Sequence, residues 1–538
     1  MSRRSALKRT AATAFLLSQA ALLEQLASPL VRPAAAATTF SDIQFDLGAF
    51  VRPAQVFNDG AGNVTAQFGI TYALFLPARL TRTPTRADQA TLANALNTIE
   101  ASYPASPSGL LIGSVSYGVP YFNRLPRAVV SANMPQTVSF QTGMGTLAAG
   151  RPVLVEATPM PSDVVGGFVG GPNALIPGVT KDRFNINVVI ENNDVLFMFR
   201  SDSTTNLAAV PLWLMGSNNL NGRGVPSPNF NGLFNFQPTR LQFVQQGLPR
   251  KMADQYGFDF APRVNPNSPM AMGFADQQVN GSGPPAACTF VGNSSAKLTN
   301  AQIGSYFDNG SIAHFSHDIE DLFQFYAQPN QDPNRPDGEP FTERCQYMFR
   351  SNQLGTTNGI PAAGNTDQFT NGGGPAFINN VFQGTGSAAA GAQDSGGLFA
   401  PGGNQTINAT FSGTGRVGHI DGLQRASRAP DGTPLHIRND GPGIDGMDVP
   451  AFRSYPTNLG VNYQAGSAMF KLQFFMFVPT ADLFTAMRVG VAAQDLQHQF
   501  LDDEDDDNGL ERFITATRRQ NFLVPPRRHR AFPLIELT

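Results

Sequence analysis

A chain of 538 residues with 53 Gly, 41 Pro and 42 Phe but only 14% charged residues reads as a loop-rich protein with substantial sheet, long enough for two domains or one duplicated pair. A net charge of -3 excludes a strongly basic surface and, with it, nucleic acid as the main partner. Two cysteines, Cys288 and Cys345, allow at most one disulfide, which excludes a disulfide scaffold and a cysteine-rich metal site.

The N-terminus reads as an export signal over residues 1–37. Ser2-Arg3-Arg4-Ser5-Ala6-Leu7-Lys8 precedes an apolar segment from Ala11 to Leu23 and the small-residue run Ala34 to Ala37. The paired arginines point to the twin-arginine route, with an ordinary secretory signal as the alternative. No later segment approaches the ~18 apolar residues of a membrane span, so the expected location is periplasmic or extracellular.

After the signal, two halves are expected, 38–262 and 263–538. Asn63 to Pro77 is rich in β-branched and aromatic residues and ends on a proline, which predicts a strand. Arg86 to Ala101 carries Leu92, Ala95, Leu96 and Ile99 at the spacing of one helix face. Gly109 to Tyr117 is again strand-like, and Asn185 to Phe199 holds two short strands around Asn192-Asn193-Asp194. The order β-α-β-β begins a ferredoxin-like unit. In the second half, Gly310 to Phe315 predicts a short strand running into a helix over Ile319 to Tyr326. Lys471 to Val478 is the strongest strand of the chain, and Thr480 is a plausible N-cap for the helix that follows through Met487. Phe513 to Val524 predicts a closing strand pair. Between these, 355–414 is a Gly/Asn-rich insertion. The expected fold class is therefore α+β, with ferredoxin-like halves.

Several short segments stand out by their residue types: Met272-Gly273-Phe274-Ala275-Asp276-Gln277, Asn309-Gly310-Ser311-Ile312, Val417-Gly418-His419-Ile420, and Arg512-Phe513 to Pro526. In that order they resemble the dye-decolourising peroxidase superfamily, and more narrowly its exported branch. The resemblance implies duplicated ferredoxin-like halves of the dimeric α/β barrel type around one haem b, and a peroxidase that reduces hydrogen peroxide while oxidising an organic or dye-like donor. A proximal imidazole donates to the iron, leaving the other side open for peroxide. Cleavage of the O–O bond then wants a proton shuttle and a fixed cation. By resemblance these are His419 as the iron ligand, Asp276 as the shuttle and Arg438 as the stabiliser.

Gln277 departs from the last glycine of the family's G-x-x-D-G loop. The literal pattern occurs instead at Gly418-His419-Ile420-Asp421-Gly422, which gives a rival set of Asp421, His436 and Arg453 but breaks the family's order of segments. A non-catalytic relative that kept the fold is the alternative function. The physiological reductant and the oligomeric state are left open. His314 and His317, three residues apart on a strand, should point to opposite faces and so form no metal pair. Asp502 to Asp507 lacks the spacing of a calcium loop, and Arg527-Arg528-His529-Arg530 is expected at the surface.

Overall fold

The computed structural model describes residues 22–23, 25–26, 40–50, 52, 55–58, 63–66, 69–160, 163–165, 183–264, 266, 268–272, 283–326, 426–429, 433–454, 461–491, 511 and 513–538. Most of the leader, the 355–414 insertion, the 502–507 acidic run and Cys345 lie outside them.

Its framework is an 11-stranded sheet. The first half contributes β1 (Tyr72–Leu80), α1 (Arg86–Ser102), β2 (Leu111–Gly118), β3 (Val195–Ser201), α2 (Thr204–Leu214), and the short β4 (Phe234–Phe236) and β5 (Arg240–Phe243). Both β4 and β5 pair with β1, β1 pairs with β3, and β3 with β2, all antiparallel. That spatial order, with the last strand beside the first and the third between the first and second, is the ferredoxin-like arrangement.

The second half repeats it. Its elements are β6 (Ser311–Glu320), α3 (Leu322–Phe325), β7 (Ile437–Arg438), β8 (Gly441–Asp445), β9 (Met469–Val478), α4 (Ala481–Val491) and β10 (Ile514–Val524). Here β10 pairs with β6, β6 with β9, and β9 with both β7 and β8. The seam between halves is β2 against β10, with Phe522 opposite Gly118, and the eleventh strand, Val189–Ile190 of the first half, runs parallel to β10 at Arg518 and Arg519.

The free ends of the sheet meet, so the sheet curls into a barrel. Gln242 Nε2 on β5 donates to Asn439 O, between β7 and β8, at 2.8 Å. Glycine permits this approach, because a Cβ on Gly443 would lie 2.5 Å from Leu241 O. The interior is filled by side chains rather than open. Ala73 and Phe75, Leu196 and Met198, Ala313 and Phe315, Phe475 and Phe477, and Phe522 and Val524 form one buried cluster. The Phe75 ring sits 4.5 Å from Phe315 and 5.1 Å from Phe475, centroid to centroid. Helices cover the outer face. α1 buries Leu92, Ala95, Leu96 and Ile99, the face expected from its spacing, and α4 buries Leu483, Phe484 and Met487. The Thr480 hydroxyl accepts from Leu483 N at 3.1 Å, the N-cap read from sequence. With both faces covered, every residue of β6 is buried, and its polar residues have to be matched internally.

Four sequence readings change. Pro77 lies inside β1 instead of ending it, at the point where the outer partner passes from β5 to β4 and the ladder is interrupted. Ile319 and Glu320 remain in β6, leaving only Leu322–Phe325 helical, because pairing with β9 and β10 outweighs local helical spacing. Ile514–Val524 is one strand rather than a pair. The basic C-terminal run is at the surface only in part: Arg528 is exposed and pairs with Asp308 at 2.6 Å and with Asp42, whereas Arg530 is buried and makes two bonds to Glu100 at 2.6 and 2.8 Å. Among the described residues, no helix is long and apolar enough to cross a membrane.

Candidate functional site

Among the described residues of the second half, buried polar groups stand both in one interior layer of the barrel and on the outer face of the sheet. His314 and His317 do point to opposite faces. In the interior, His317 Nε2 lies 3.0 Å from Asp445 Oδ2, and its Nδ1 lies 2.7 Å from Thr517 Oγ1. Lys471 Nζ donates to Met447 O at 2.8 Å, and burial pushes its ammonium down to about 8. On the outer face, His314 Nδ1 lies 2.7 Å from Asn521 Oδ1, and its ring stacks on Phe484 at 3.7 Å. Burial, then the Arg519 charge, lowers His314 far below its usual range, so it is neutral and structural.

Register carries Arg438 onto the same outer face. It lies opposite Met476, which in turn lies opposite His314, and His314 opposite Asn521. The Arg438 side chain is 18% exposed and its Nε is 4.0 Å from Asp440 Oδ1. Farther along the same face of β6 stand Asp318 and Glu320. Burial raises Asp318 to about 6, against the opposing pull of Arg519. Burial, followed by the charges of Asp318 and Asp440, raises Glu320 to about 8. Asp318 Oδ1, Glu320 Oε2 and Asp440 Oδ1 are buried without a hydrogen-bond partner. Unmatched buried oxygens of this kind are rare and costly.

His436 is buried just before β7. Burial, with Arg438 and Arg428 nearby, pushes its imidazole down to about 3, so the ring is neutral at ordinary pH. One nitrogen interacts with the Ser427 backbone, and Nδ1 has no partner. A neutral ring held through one nitrogen with the other open is competent to bind a metal.

Asp276, His419 and Asp421 lie outside the described residues. The described chain next to them converges on one place. Gly283, the first described residue after Asp276, donates its N–H to His436 O at 2.7 Å. Leu435 N donates to Ser427 O and Ala429 N to Thr433 O, both at 2.8 Å, so the first described segment after His419 runs beside 433–435. Arg453 of the rival set is exposed on the two-residue strand Phe452–Arg453, paired with Asn462–Tyr463. Sequence reasoning passed over Asp440, although the alternation Arg438-Asn439-Asp440 was the signal for two charged groups on one strand face.

A family of unknown function (DUF7405) matches residues 179–338. No curated protein matches. Among solved structures, a candidate DyP-type peroxidase from Shewanella oneidensis aligns at 12% identity and a TM-score of 0.40, covering 86% of this chain and 94% of that one. The encapsulated DyP-type peroxidase from Mycobacterium smegmatis aligns at 14% and 0.37, covering 86% and 94%. A dye-decolorizing peroxidase from Bacteroides thetaiotaomicron aligns at 12% and 0.37, with the same coverage. Likeness at this level assigns no activity, and the duplicated ferredoxin-like fold rests on the strand order of this chain itself.

Proposed function

We propose that this protein is an exported haem peroxidase that reduces hydrogen peroxide at the outer face of its second half and oxidises an organic donor. The observation that carries the reading is the convergence at β7. Arg438 supplies a fixed, largely buried cation there, and the described ends of the segments bearing Asp276 and His419 hydrogen-bond to the chain just before it.

The donor set fits a haem. A buried neutral imidazole with an open nitrogen, a guanidinium and an unmatched carboxyl oxygen stand within one short segment. When bound, haem supplies an iron centre that takes up peroxide and two-electron redox chemistry. His419 is the proposed iron ligand, with His436 as the rival, and Asp276 is the carboxylate that the sequence reading gives to proton transfer. Arg438 stabilises the negative charge that develops on the departing oxygen. The proposed location, periplasmic or extracellular by the twin-arginine route, rests on the leader sequence.

Haem reconstitution followed by absorbance tests the reading. His419→Ala should abolish the Soret band while His436→Ala keeps most of it, and the reverse result moves the iron to His436. Arg438→Leu should keep haem and slow peroxide-driven oxidation on the order of 100-fold. A wild type that takes up no haem removes the peroxidase reading altogether.

A further inference from the structure

Where the free ends of the sheet meet, the barrel interior holds buried polar atoms that nothing among the described residues matches. On β5, Arg240 lies opposite Phe75 and Gln242 opposite Ala73, so both side chains enter the interior. On β9, Gln473 stands two residues before Phe475 and faces the same way. None of the three is more than 2% exposed. The Arg240 guanidinium donates through Nη2 to Glu191 at 2.6 Å and covers the Phe315 ring at 4.6 Å, while its Nε and Nη1 have no partner. Each amide is fixed by one bond: Gln242 Nε2 donates to Asn439 O at 2.8 Å, and Gln473 Nε2 to Asp445 Oδ2 at 3.3 Å. Turning either amide over would set oxygen against oxygen, so both Oε1 atoms are acceptors, and neither has a donor. The groups are close together. A Cβ on Gly443 would lie 3.3 Å from Gln473 Nε2 and 2.5 Å from Leu241 O, which sets the Gln473 amide beside the backbone between Arg240 and Gln242.

Charge narrows what can complete them. Arg240, Arg518 and Lys471 face Glu191, Asp448 and Asp445, three cations against three carboxylates among the described residues. Burial lowers His317, so its ring adds no charge at neutral pH. A net charge brought into this balanced layer would be buried without compensation. The ligand therefore accepts from a guanidinium, donates to two amide oxygens and is neutral overall. It is also small, because Phe75, Phe315 and Phe475 fill the next layer. Asp445, Asp448 and Arg518 are partly exposed and give the layer its opening to solvent.

We propose that this end of the barrel binds a small zwitterion, an amino acid of the size of glycine, with its carboxylate on Arg240 and its ammonium on Gln242 and Gln473. The site is separate from the outer face at β7 and needs no haem. Arg240 and Gln242 belong to the first half and Gln473 to the second, so the bound molecule ties the two ends of the sheet together.

Equilibrium dialysis of the full chain against radiolabelled glycine tests this, with thermal unfolding as a second readout. Glycine should bind at one site per chain and raise the unfolding midpoint as its concentration grows. Acetate lacks the ammonium and glycinamide lacks the carboxylate, and each should compete at least about ten-fold more weakly than unlabelled glycine. Glycolate, a hydroxyl in place of the ammonium, should also compete more weakly, because it carries a net charge. Arg240→Lys keeps a cation for Glu191 but loses the fork of donors, and Gln473→Met removes one acceptor at similar volume. Each should weaken glycine binding about ten-fold or more in protein that still unfolds cooperatively. No glycine uptake by wild type overturns the proposal and leaves ordered water as the only occupant. Competition by acetate, glycinamide or glycolate equal to that of glycine overturns it as well, as does wild-type affinity in both folded variants. The competition series needs wild type alone, so it decides the matter even where a variant does not fold.

Discussion

Asp163→Ala should cost about 3 kcal/mol of folding stability. Asp163 makes a two-bond pair with Arg519, and the two side chains are 2% and 4% exposed. Removing one member of a buried pair leaves an uncompensated charge and costs about 3–5 kcal/mol, against about 0–1 for an exposed pair. Two neighbours adjust the value in opposite directions. Asp163 Oδ2 also accepts from Met160 N at 2.8 Å, and that bond is lost as well. Asp318, raised to about 6 and pulled the other way by Arg519, supplies a replacement negative charge, which argues for the lower end of the range. Adding Arg519→Met to Asp163→Ala should recover more than half of the loss, because no orphaned guanidinium remains. Urea unfolding of wild type, both single variants and the double variant, at unchanged m, measures the cycle. A cost below about 1 kcal/mol for Asp163→Ala would refute the assignment of this pair to the dry side of the sheet.

Two other outcomes follow from the packing and the buried carboxyls. Phe75→Ala removes the ring that meets Phe315 and Phe475 at the barrel centre and should cost about 3–5 kcal/mol in the same assay, because a closed barrel collapses poorly around a void. Glu320 goes from an ordinary 4.5 to about 8 on folding, so the folded state holds a proton that the unfolded chain releases. Its contribution to stability is therefore greatest below about pH 4.5 and is lost as pH rises toward 8. Glu320→Gln should flatten the wild-type decline across that window, and an unchanged pH profile would show that Glu320 titrates normally.

The parts of the fold legible in sequence were those in which one signal acted alone. The α1 stripe, the Lys471 to Val478 strand and the Thr480 cap each follow from local spacing or chemistry, and each is found. The opposite orientation of His314 and His317 follows from strand alternation. The end of β6 was misread because Ile319, Leu322, Phe323 and Tyr326 fit a helix face, while the decisive factor, two flanking strands more than 140 residues away in sequence, leaves no local trace. Pro77 looked like a stop because its neighbour on that side changes only in three dimensions. The site was legible in part. Arg438 was singled out by resemblance and stands on the outer face of β7, whereas Asp440 becomes visible beside it only once β7 is known to be extended and Asn439 is seen facing inward. The Arg519–Asp163 pair joins segments 356 residues apart and has no sequence signature.

The position of β10 governs how this chain can be made. Its last strand is not an edge but the member that joins the halves, pairing with β6 on one side and β2 on the other. Residues 514–524 follow every other strand of the sheet along the chain, so until they emerge β2 is paired with β3 on one side only and the barrel cannot close. Contacts so distant along the chain are slow to form and leave strand edges exposed meanwhile. Closure of the barrel is therefore committed only once β10 is available, and a chain truncated before Ile514 should persist as two unjoined sheets prone to association rather than as a smaller version of the same molecule.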